Sequence, residues 1–266
     1  MLDSGVCANC DRAVGGADQK FCPACGQPTP THRIDWHFLG HELEHSVLHM
    51  DRGIFYSLKN LMLRPGHFIR DYIEGRRARH VKPLMLIMIL AAAMVFIAKY
   101  FLGGDLVGSG LTMGGTAAAG AKGGGQFDPA RLVNAFKVVT EWMNHHYTAT
   151  TLMLLPLEAV AFKWAFRRFG SLNYPEWLVI ATFLTAQSFV IMISAAPLEY
   201  WFPQVHGWAL SLVFVYTVAS LTQFFKPYPR WKSVLRSLLG FGIFMAFNFA
   251  FSFLLTVIAL ALPTHH

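Results

Sequence analysis

The sequence predicts an all-α integral membrane protein, on the basis of its composition, its long apolar runs and the placement of its charges. Of the 266 residues, 54% are hydrophobic and only 14% are charged, and the mean hydropathy is +0.40. An ordinary soluble domain carries about 25% charged residues. A chain this apolar would expose large patches in water, which argues against a soluble globular enzyme.

Several runs are long enough to cross a bilayer, whose hydrocarbon core needs about 20 apolar residues per helix. One of them contains Glu158 and Lys163 but is apolar on both sides of these residues. We count it as a span. The predicted bundle occupies residues 83–262, with five spans at about 83–102, 147–167, 177–198, 207–225 and 237–262.

The basic residues give the bundle an orientation, because Lys and Arg collect in short cytoplasmic loops. They cluster before the first span, between the second and third spans, and between the fourth and fifth spans. Five spans, with a cytoplasmic N-terminus and the C-terminus outside, satisfy all of these loops. Four residues before the first span are expected at anionic lipid headgroups, at about 1 kcal/mol each: Arg76, Arg77, Arg79 and Lys82.

The remaining segments differ in composition. Residues 1–30 are rich in Cys, Gly and Pro, and residues 31–82 are predicted to form His-rich and basic juxtamembrane helices. Residues 103–126 are a Gly/Ala stretch that reads as a flexible outer loop. Asp128-Pro129 resembles a helix start, so residues 128–144 are predicted to form an amphipathic helix, either at the outer interface or packed over the bundle.

Two CxxC motifs, separated by eleven residues, predict a metal site in residues 1–30. Two thiolates in each tight turn can point at one ion, and two such turns complete a tetrahedral zinc ribbon with one Zn²⁺ per chain. Four thiolates leave no open position, so this zinc is expected to be structural. A redox motif or a disulfide pair would not explain two knuckles. The predicted ligands are Cys7, Cys10, Cys22 and Cys25.

Histidines recur every four residues after Asp35, which is expected to cap a helix running to about residue 50. Imidazoles four residues apart on a helix can share one ion or titrate together near neutral pH. Packing histidines are the alternative, favoured because one helix supplies only two ligands per ion. The candidates for a second metal or pH-sensing site are His37, His41, His45 and His49.

Three segments carry a family resemblance: FCPACGQ at 21–27, THRIDWHFLGHELEHSVLHMDRG at 31–53 and LRPGHFIRDYIEGRRARHVKP at 63–83. Over residues 7–90 the chain resembles the bacterial membrane-protein family known as domain of unknown function 3667. The resemblance implies zinc at the four cysteines, a multi-span bundle and a bacterial inner membrane. It brings no activity, substrate or catalytic residue.

Polar residues near the midpoints of spans are the remaining candidates. An ionisable group at the bilayer centre costs at least about 2.5–3.5 kcal/mol unless it is buried with partners, and by default marks a functional interior. Hydrogen bonding between helices is the alternative. The residues concerned are Glu158, Gln187 and Asn248.

Three functions fit this sequence, and the first is a transporter or channel for an ion or small solute. The second is a membrane scaffold or sensor that docks a cytoplasmic protein partner through the ribbon and the His-rich helix. The third is a membrane metalloenzyme, although no familiar catalytic motif is present and an enzyme is not favoured. The ribbon has only Arg12, Lys20 and the nearby Arg33 against Asp3, Asp11 and Asp18, which argues against nucleic acid as a partner. A homo-oligomer is compatible with the sequence.

Overall fold

The computed structural model describes residues 5–15, 19–29, 31–40, 53–101 and 129–261. Within these ranges the regular elements are helices, and no strand forms beyond two isolated β-bridges, so the all-α prediction is confirmed for them. The helices are α1 (Ile54–Leu63), α2 (Pro65–Ile73), α3 (Pro83–Phe101), α4 (Pro129–His145), α5 (Tyr147–Ala165), α6 (Tyr174–Glu199), α7 (Gln204–Phe224) and α8 (Arg230–Ala261).

Four of these helices, α3, α6, α7 and α8, are long and apolar enough to cross a membrane. This is consistent with a multi-pass membrane protein. Helix α5 also has 19 residues, but Glu158 and Lys163 lower its hydropathy and it is not among the four. The predicted segment 103–126 lies outside the described residues.

Helix α6 forms the centre of the bundle and packs against α3, α5 and α7. Its beginning is fixed by a capping box: the Asn173 side chain accepts from the Glu176 N–H at 2.8 Å, and Glu176 Oε2 accepts from the Asn173 N–H at 2.7 Å. Pro175 occupies the first turn, where its missing N–H costs nothing. The helix therefore starts three residues before the predicted span, at polar residues that a hydropathy pattern does not include.

Helices α1 and α2 form a hairpin, which we call the 54–73 hairpin. With 10 and 9 residues, they are about 15 and 13 Å long, or half of a hydrocarbon core. The turn falls at Arg64, since Pro65 cannot continue the hydrogen bonds of α1. Phe68 and Tyr72 of α2 pack edge-on against Phe183 of α6, each at 5.3 Å between ring centroids.

The hairpin lies so close to α7 that it requires a glycine at its turn. A Cβ on Gly66 would lie 2.3 Å from the Gln223 Cβ and 2.5 Å from both the Phe224 nitrogen and the Ser220 oxygen. No side chain fits at such distances. The two backbones can approach this closely only because residue 66 has no side chain.

Candidate metal centre and hairpin site

The cysteine segment is built from two matching knuckles, offset by fifteen residues. The Cys7 N–H donates to the Arg12 carbonyl and the Cys22 N–H to the Gln27 carbonyl, both at 2.8 Å. Each knuckle turns through a residue with positive φ, Asp11 at 56° and Gly26 at 73°. Because the backbones repeat, the four sulfurs converge on one point between the knuckles.

The sulfur positions fit a tetrahedral metal ion. The Cys7 and Cys25 Sγ atoms lie 3.6 Å apart, as do those of Cys10 and Cys22, and all four atoms lie within 4.8 Å of one another. Tetrahedral zinc with sulfur at about 2.3 Å requires an edge of about 3.8 Å. The four cysteines could therefore bind a metal ion, as the sequence predicts.

One buried glutamine ties this cluster to the hairpin. Gln27, which is 2% exposed, donates through Nε2 to the Gly75 carbonyl and accepts through Oε1 from the Arg77 N–H, both at 3.1 Å. Gly75 lies two residues after the end of α2, so the second knuckle is fixed to the end of the hairpin. Sequence reasoning did not select Gln27, although it closes the FCPACGQ motif.

A second tie joins the segment after the ribbon to the start of α6. The Arg33 guanidinium makes a bidentate ion pair with Glu176, at 2.6 and 2.8 Å, and the Asn173 side chain donates to the Ile34 carbonyl at 2.7 Å. The Glu176 side chain is only 3% exposed, and planar bidentate pairing is the strong form of this interaction. The ribbon thus packs on the end of the bundle where α6 begins, which we call the ribbon end.

Polar side chains of the bundle hold the other end of the hairpin. Gln187, in the middle of α6, donates to the Leu61 carbonyl at 3.0 Å and accepts from Ser220 of α7 at 3.1 Å. The Tyr216 hydroxyl donates to the Met62 carbonyl. These bonds satisfy the carbonyls that a helix leaves free at its C-terminus. The tip of the hairpin therefore reaches the middle of α6.

A groove of about 400 Å³ continues beyond this tip. It lies between the second half of α6 and the first half of α7, and Met62 of the hairpin lines it. We call it the α6–α7 groove. Its lining is mostly apolar and includes Ile191, Ser194, Ala195, Trp208 and Leu212.

His80 packs inside the hairpin base among aromatic rings. Its ring centroid lies 4.4 Å from that of Phe68, 5.9 Å from that of Tyr72 and 6.2 Å from that of Tyr56. Neither ring nitrogen has a hydrogen-bond partner among the described residues. Burial lowers the pKa of His80 to about 4. The imidazole is therefore neutral at pH 7.

The predicted histidine helix begins as expected for a capped start: the Asp35 carboxylate accepts from the Phe38 N–H at 2.8 Å, and residues 36–40 are helical. The His37 side chain is exposed. His41, His45 and His49 lie outside the described residues. The second metal or pH-sensing site therefore stays a prediction.

The four basic residues assigned to headgroups differ in their surroundings. Arg76 pairs with Asp71 at 2.7 Å and with Glu74. Arg77 donates through Nε to the Tyr72 carbonyl and lies over the Phe38 ring. Arg79 is exposed and Lys82 half-buried. Arg76 and Arg77 thus have protein partners, and the headgroup assignment of all four residues stays a prediction.

The three polar candidates near the midpoints of the predicted spans also differ in their contacts. Gln187 anchors the hairpin. The half-buried Glu158 of α5 accepts a hydrogen bond from Thr185 of α6 at 2.8 Å. Asn248 of α8 is half-buried and makes no hydrogen bond to a described residue. Glu158 does not line the α6–α7 groove.

Together these features define a class: an all-helical protein with four candidate membrane spans and an N-terminal cluster of four cysteines. A family model described as "Protein of unknown function (DUF3667)" matches residues 51–95, so the chain is similar to this family over that segment. The matched residues include the whole hairpin, the contacts of Gly75 and Arg77 with Gln27, and most of α3. No curated protein and no solved structure matches the chain.

Proposed function

We propose that this protein is a channel or transporter for a small uncharged solute, whose path follows the α6–α7 groove and is closed by the 54–73 hairpin. The observation that carries the proposal is the position of the hairpin tip. Met62 ends the groove at the middle of α6, and Tyr216 holds the tip there. The apolar lining favours an uncharged solute over an ion.

The interruption between helices α1 and α2 supports a path at this position. Within the hydrocarbon region, non-helical backbone is tolerated only where protein buries it or where it lines a cavity. Transporters use such interrupted helices at their binding sites. The backbone on either side of the turn at Arg64 is bonded by Gln223 and Tyr216, and the groove opens beside Met62, two residues before the turn.

In this proposal the ribbon holds the base of the hairpin in place through Gln27. We assign zinc to its four cysteines, since a closed set of thiolates suits a structural ion. We also count α5 as a fifth span, which places the ribbon end in the cytoplasm of a bacterial inner membrane and the C-terminus outside. A reporter that is active only in the cytoplasm should therefore fail when it is fused to the C-terminus.

The test of the path uses the full chain in proteoliposomes, with glycerol and urea as probes and light scattering to follow swelling. Tyr216→Phe loses the bond to the Met62 carbonyl without changing the shape of the ring. Gly66→Ala places a Cβ against α7 and should displace the turn. Gly242→Ala is the matched control, because a Cβ there meets nothing within 4 Å.

We expect solute permeability to rise severalfold in Gly66→Ala, to rise less in Tyr216→Phe and to stay at the wild-type value in Gly242→Ala. The tyrosine variant keeps the test decisive if Gly66→Ala fails to fold. Equal permeability in the wild type, Tyr216→Phe and protein-free vesicles would refute a solute path at this groove.

A scaffold or sensor is the second candidate, favoured by the tie between Gln27 and the end of α2. Loss of metal from the ribbon would release Gly75 and Arg77, and with them the base of the hairpin. In that function the ribbon reports a cytoplasmic condition or partner to the bundle. Metal-dependent hydrogen exchange in residues 54–73, without any solute flux, would favour the sensor over the channel.

A further inference from the structure

We propose that a groove at the ribbon end of α8 binds one anionic phospholipid. This inference does not depend on solute transport. The groove has a volume of about 450 Å³ and lies between the α5–α6 connection and the first turns of α8. We call it the α8 groove. Its cationic side chains are Arg168, Lys232 and Arg236, and its apolar ones are Phe169, Leu235 and Leu239.

Among the residues that the structure describes, no carboxylate pairs with the cations of the α8 groove. The sequence contains no Asp or Glu after Glu199, and none between Glu158 and Glu176. Within the described part of the chain, no ion pair involves Arg168, Lys232 or Arg236. An anion is therefore the missing partner, and a basic pocket between helices at the membrane interface suits a phospholipid headgroup.

Two of the three cations, Arg236 and Lys232, contact uncharged partners. The Arg236 guanidinium donates to the Ala165 carbonyl and lies 4.7 Å from the centroid of the Phe169 ring. The Lys232 ammonium lies 5.5 Å from the centroid of the Trp231 ring. Neither contact removes the positive charge. Arg236 in particular is pre-oriented, so less side-chain freedom is lost when an anion binds.

The lining of the groove changes from cationic to apolar along α8, which matches the headgroup and acyl chain of a lipid. Lys232 and Arg236 lie one turn apart, and Leu235 and Leu239 continue the groove toward the apolar part of the helix. Trp231 is 66% exposed beside the cations, as tryptophan is at membrane interfaces. A phosphate at the cations would let an acyl chain lie on the leucines.

A lipid explains these observations better than a free anion does. Inorganic phosphate would use the cations but leave Leu235 and Leu239 uncovered, on a helix that could itself cross the membrane. The α6–α7 groove shows the contrast, because its lining contains no cation. Apolar walls combined with unpaired cations distinguish the α8 groove.

The test titrates the full, metal-loaded chain in detergent with phosphatidylglycerol or phosphatidylcholine and counts bound lipid by native mass spectrometry. The double variant Arg168→Gln/Lys232→Gln removes two exposed cations of the groove. The double variant Arg167→Gln/Lys226→Gln is the matched control. It removes the same two residue types, also exposed and at the same end of the bundle, but outside the groove.

We expect the first phosphatidylglycerol to bind at least tenfold more tightly than phosphatidylcholine. The groove variant should weaken it about thirtyfold, about fivefold for each lost charge, and the control by less than twofold. Equal weakening in both double variants would show diffuse charge attraction and overturn the site. Displacement of the lipid by an equal concentration of glycerol phosphate would show a free-anion site and overturn it too.

A second measurement leaves all charges in place. Phosphatidylglycerol with brominated acyl chains should quench tryptophan fluorescence in the wild type, and part of this quenching should disappear in Trp231→Phe. Unbrominated phosphatidylglycerol should compete for that part, and phosphatidylcholine should not. Identical quenching in the wild type and Trp231→Phe would contradict a lipid chain in the α8 groove.

Discussion

The ribbon with its hairpin is stabilised by different interactions from those that stabilise the bundle of long apolar helices. In the first region the elements are short, and side chains bond directly to backbone groups: Gln27 to Gly75 and Arg77, and Tyr216 to Met62. In the second region the helices are long and satisfy their own backbone, and the contacts between them are mainly apolar. The ribbon region therefore depends on a few named bonds, and the bundle on many weak contacts.

The hydroxyl groups of the bundle illustrate the difference. Thr182, Ser188 and Thr222 each donate to the carbonyl four residues earlier in their own helix, at 2.8 to 3.0 Å. Such bonds satisfy a polar group without joining two helices. Substitutions in the ribbon and hairpin should therefore have larger and more local effects than substitutions of polar residues in the bundle.

The largest effect should come from removing a metal ligand. If the proposed zinc assignment holds, Cys22→Ser should lower the metal content to almost none and unfold the ribbon, because structural zinc contributes about 10–16 kcal/mol of apparent binding free energy to such small modules. The helical content should stay near the wild-type value, since the spanning helices do not contain the site. Elemental analysis and circular dichroism measure the two quantities.

Asp11→Gly is the control for this prediction. Asp11 has a φ of 56°, and its counterpart in the second knuckle is Gly26. Glycine suits this conformation, so the variant should keep its metal and gain up to about 1 kcal/mol in ribbon stability. Full metal content in Cys22→Ser would show that the four sulfurs do not form the site.

His80 gives the next largest effect, and it depends on pH. Its folded pKa of about 4 lies below the ordinary value of 6.5, so the unfolded chain binds the proton first. The free energy of unfolding should therefore fall as the pH drops from about 6.5 to 4, with a cost of about 2 kcal/mol at pH 5. His80→Phe should unfold at pH 5 with that much more free energy than the wild type.

At pH 7 the two proteins should be nearly equal, because neither imidazole nitrogen of His80 makes a described hydrogen bond that Phe would lose. Denaturant titrations at the two pH values measure the difference. His37→Gln changes an exposed histidine and should keep the acid sensitivity of the wild type. An identical pH dependence in His80→Phe and the wild type would place the titrating group elsewhere.

Removal of the tie at Gln27 should cost about 1–3 kcal/mol, because Gln27→Ala leaves the Gly75 carbonyl and the Arg77 N–H without their buried partner. Hydrogen exchange should increase in residues 54–73 more than in α6. Gln204→Ala, at an exposed position, should change neither quantity. If α6 and the hairpin became equally labile, the two regions would form one cooperative unit.

The sequence predicted those features that depend on a local pattern. Two CxxC turns locate the metal ligands, and long apolar runs locate four helices that could cross a membrane. Helices were expected within residues 31–82, but their arrangement as a hairpin against α6 and α7 was not predicted, because the partners of the hairpin are distant in sequence. Gly66 gave only the weak signal of a Pro-Gly pair. The contact of Gln187 with Leu61 spans 126 residues, which no periodicity encodes.

Substitution of Glu158 should have the smallest effect on the free energy of unfolding. Variants at this position distinguish a structural role of the carboxylate from a functional one. Its carboxylate accepts from Thr185, so Glu158→Gln, whose side-chain carbonyl can accept the same bond, should change the free energy of unfolding by less than about 0.5 kcal/mol. Glu158→Leu should cost about 0.6–1.7 kcal/mol, as interhelical hydrogen bonds in membranes do. In a double-mutant cycle, Thr185→Val should add little further loss to Glu158→Leu, because both remove the same bond.

Solute flux, measured on the same Glu158 variants as stability, completes the test. A glutamine variant that folds normally but loses flux would place Glu158 on the path, and the conduction route would then lie between α5 and α6 rather than along the α6–α7 groove.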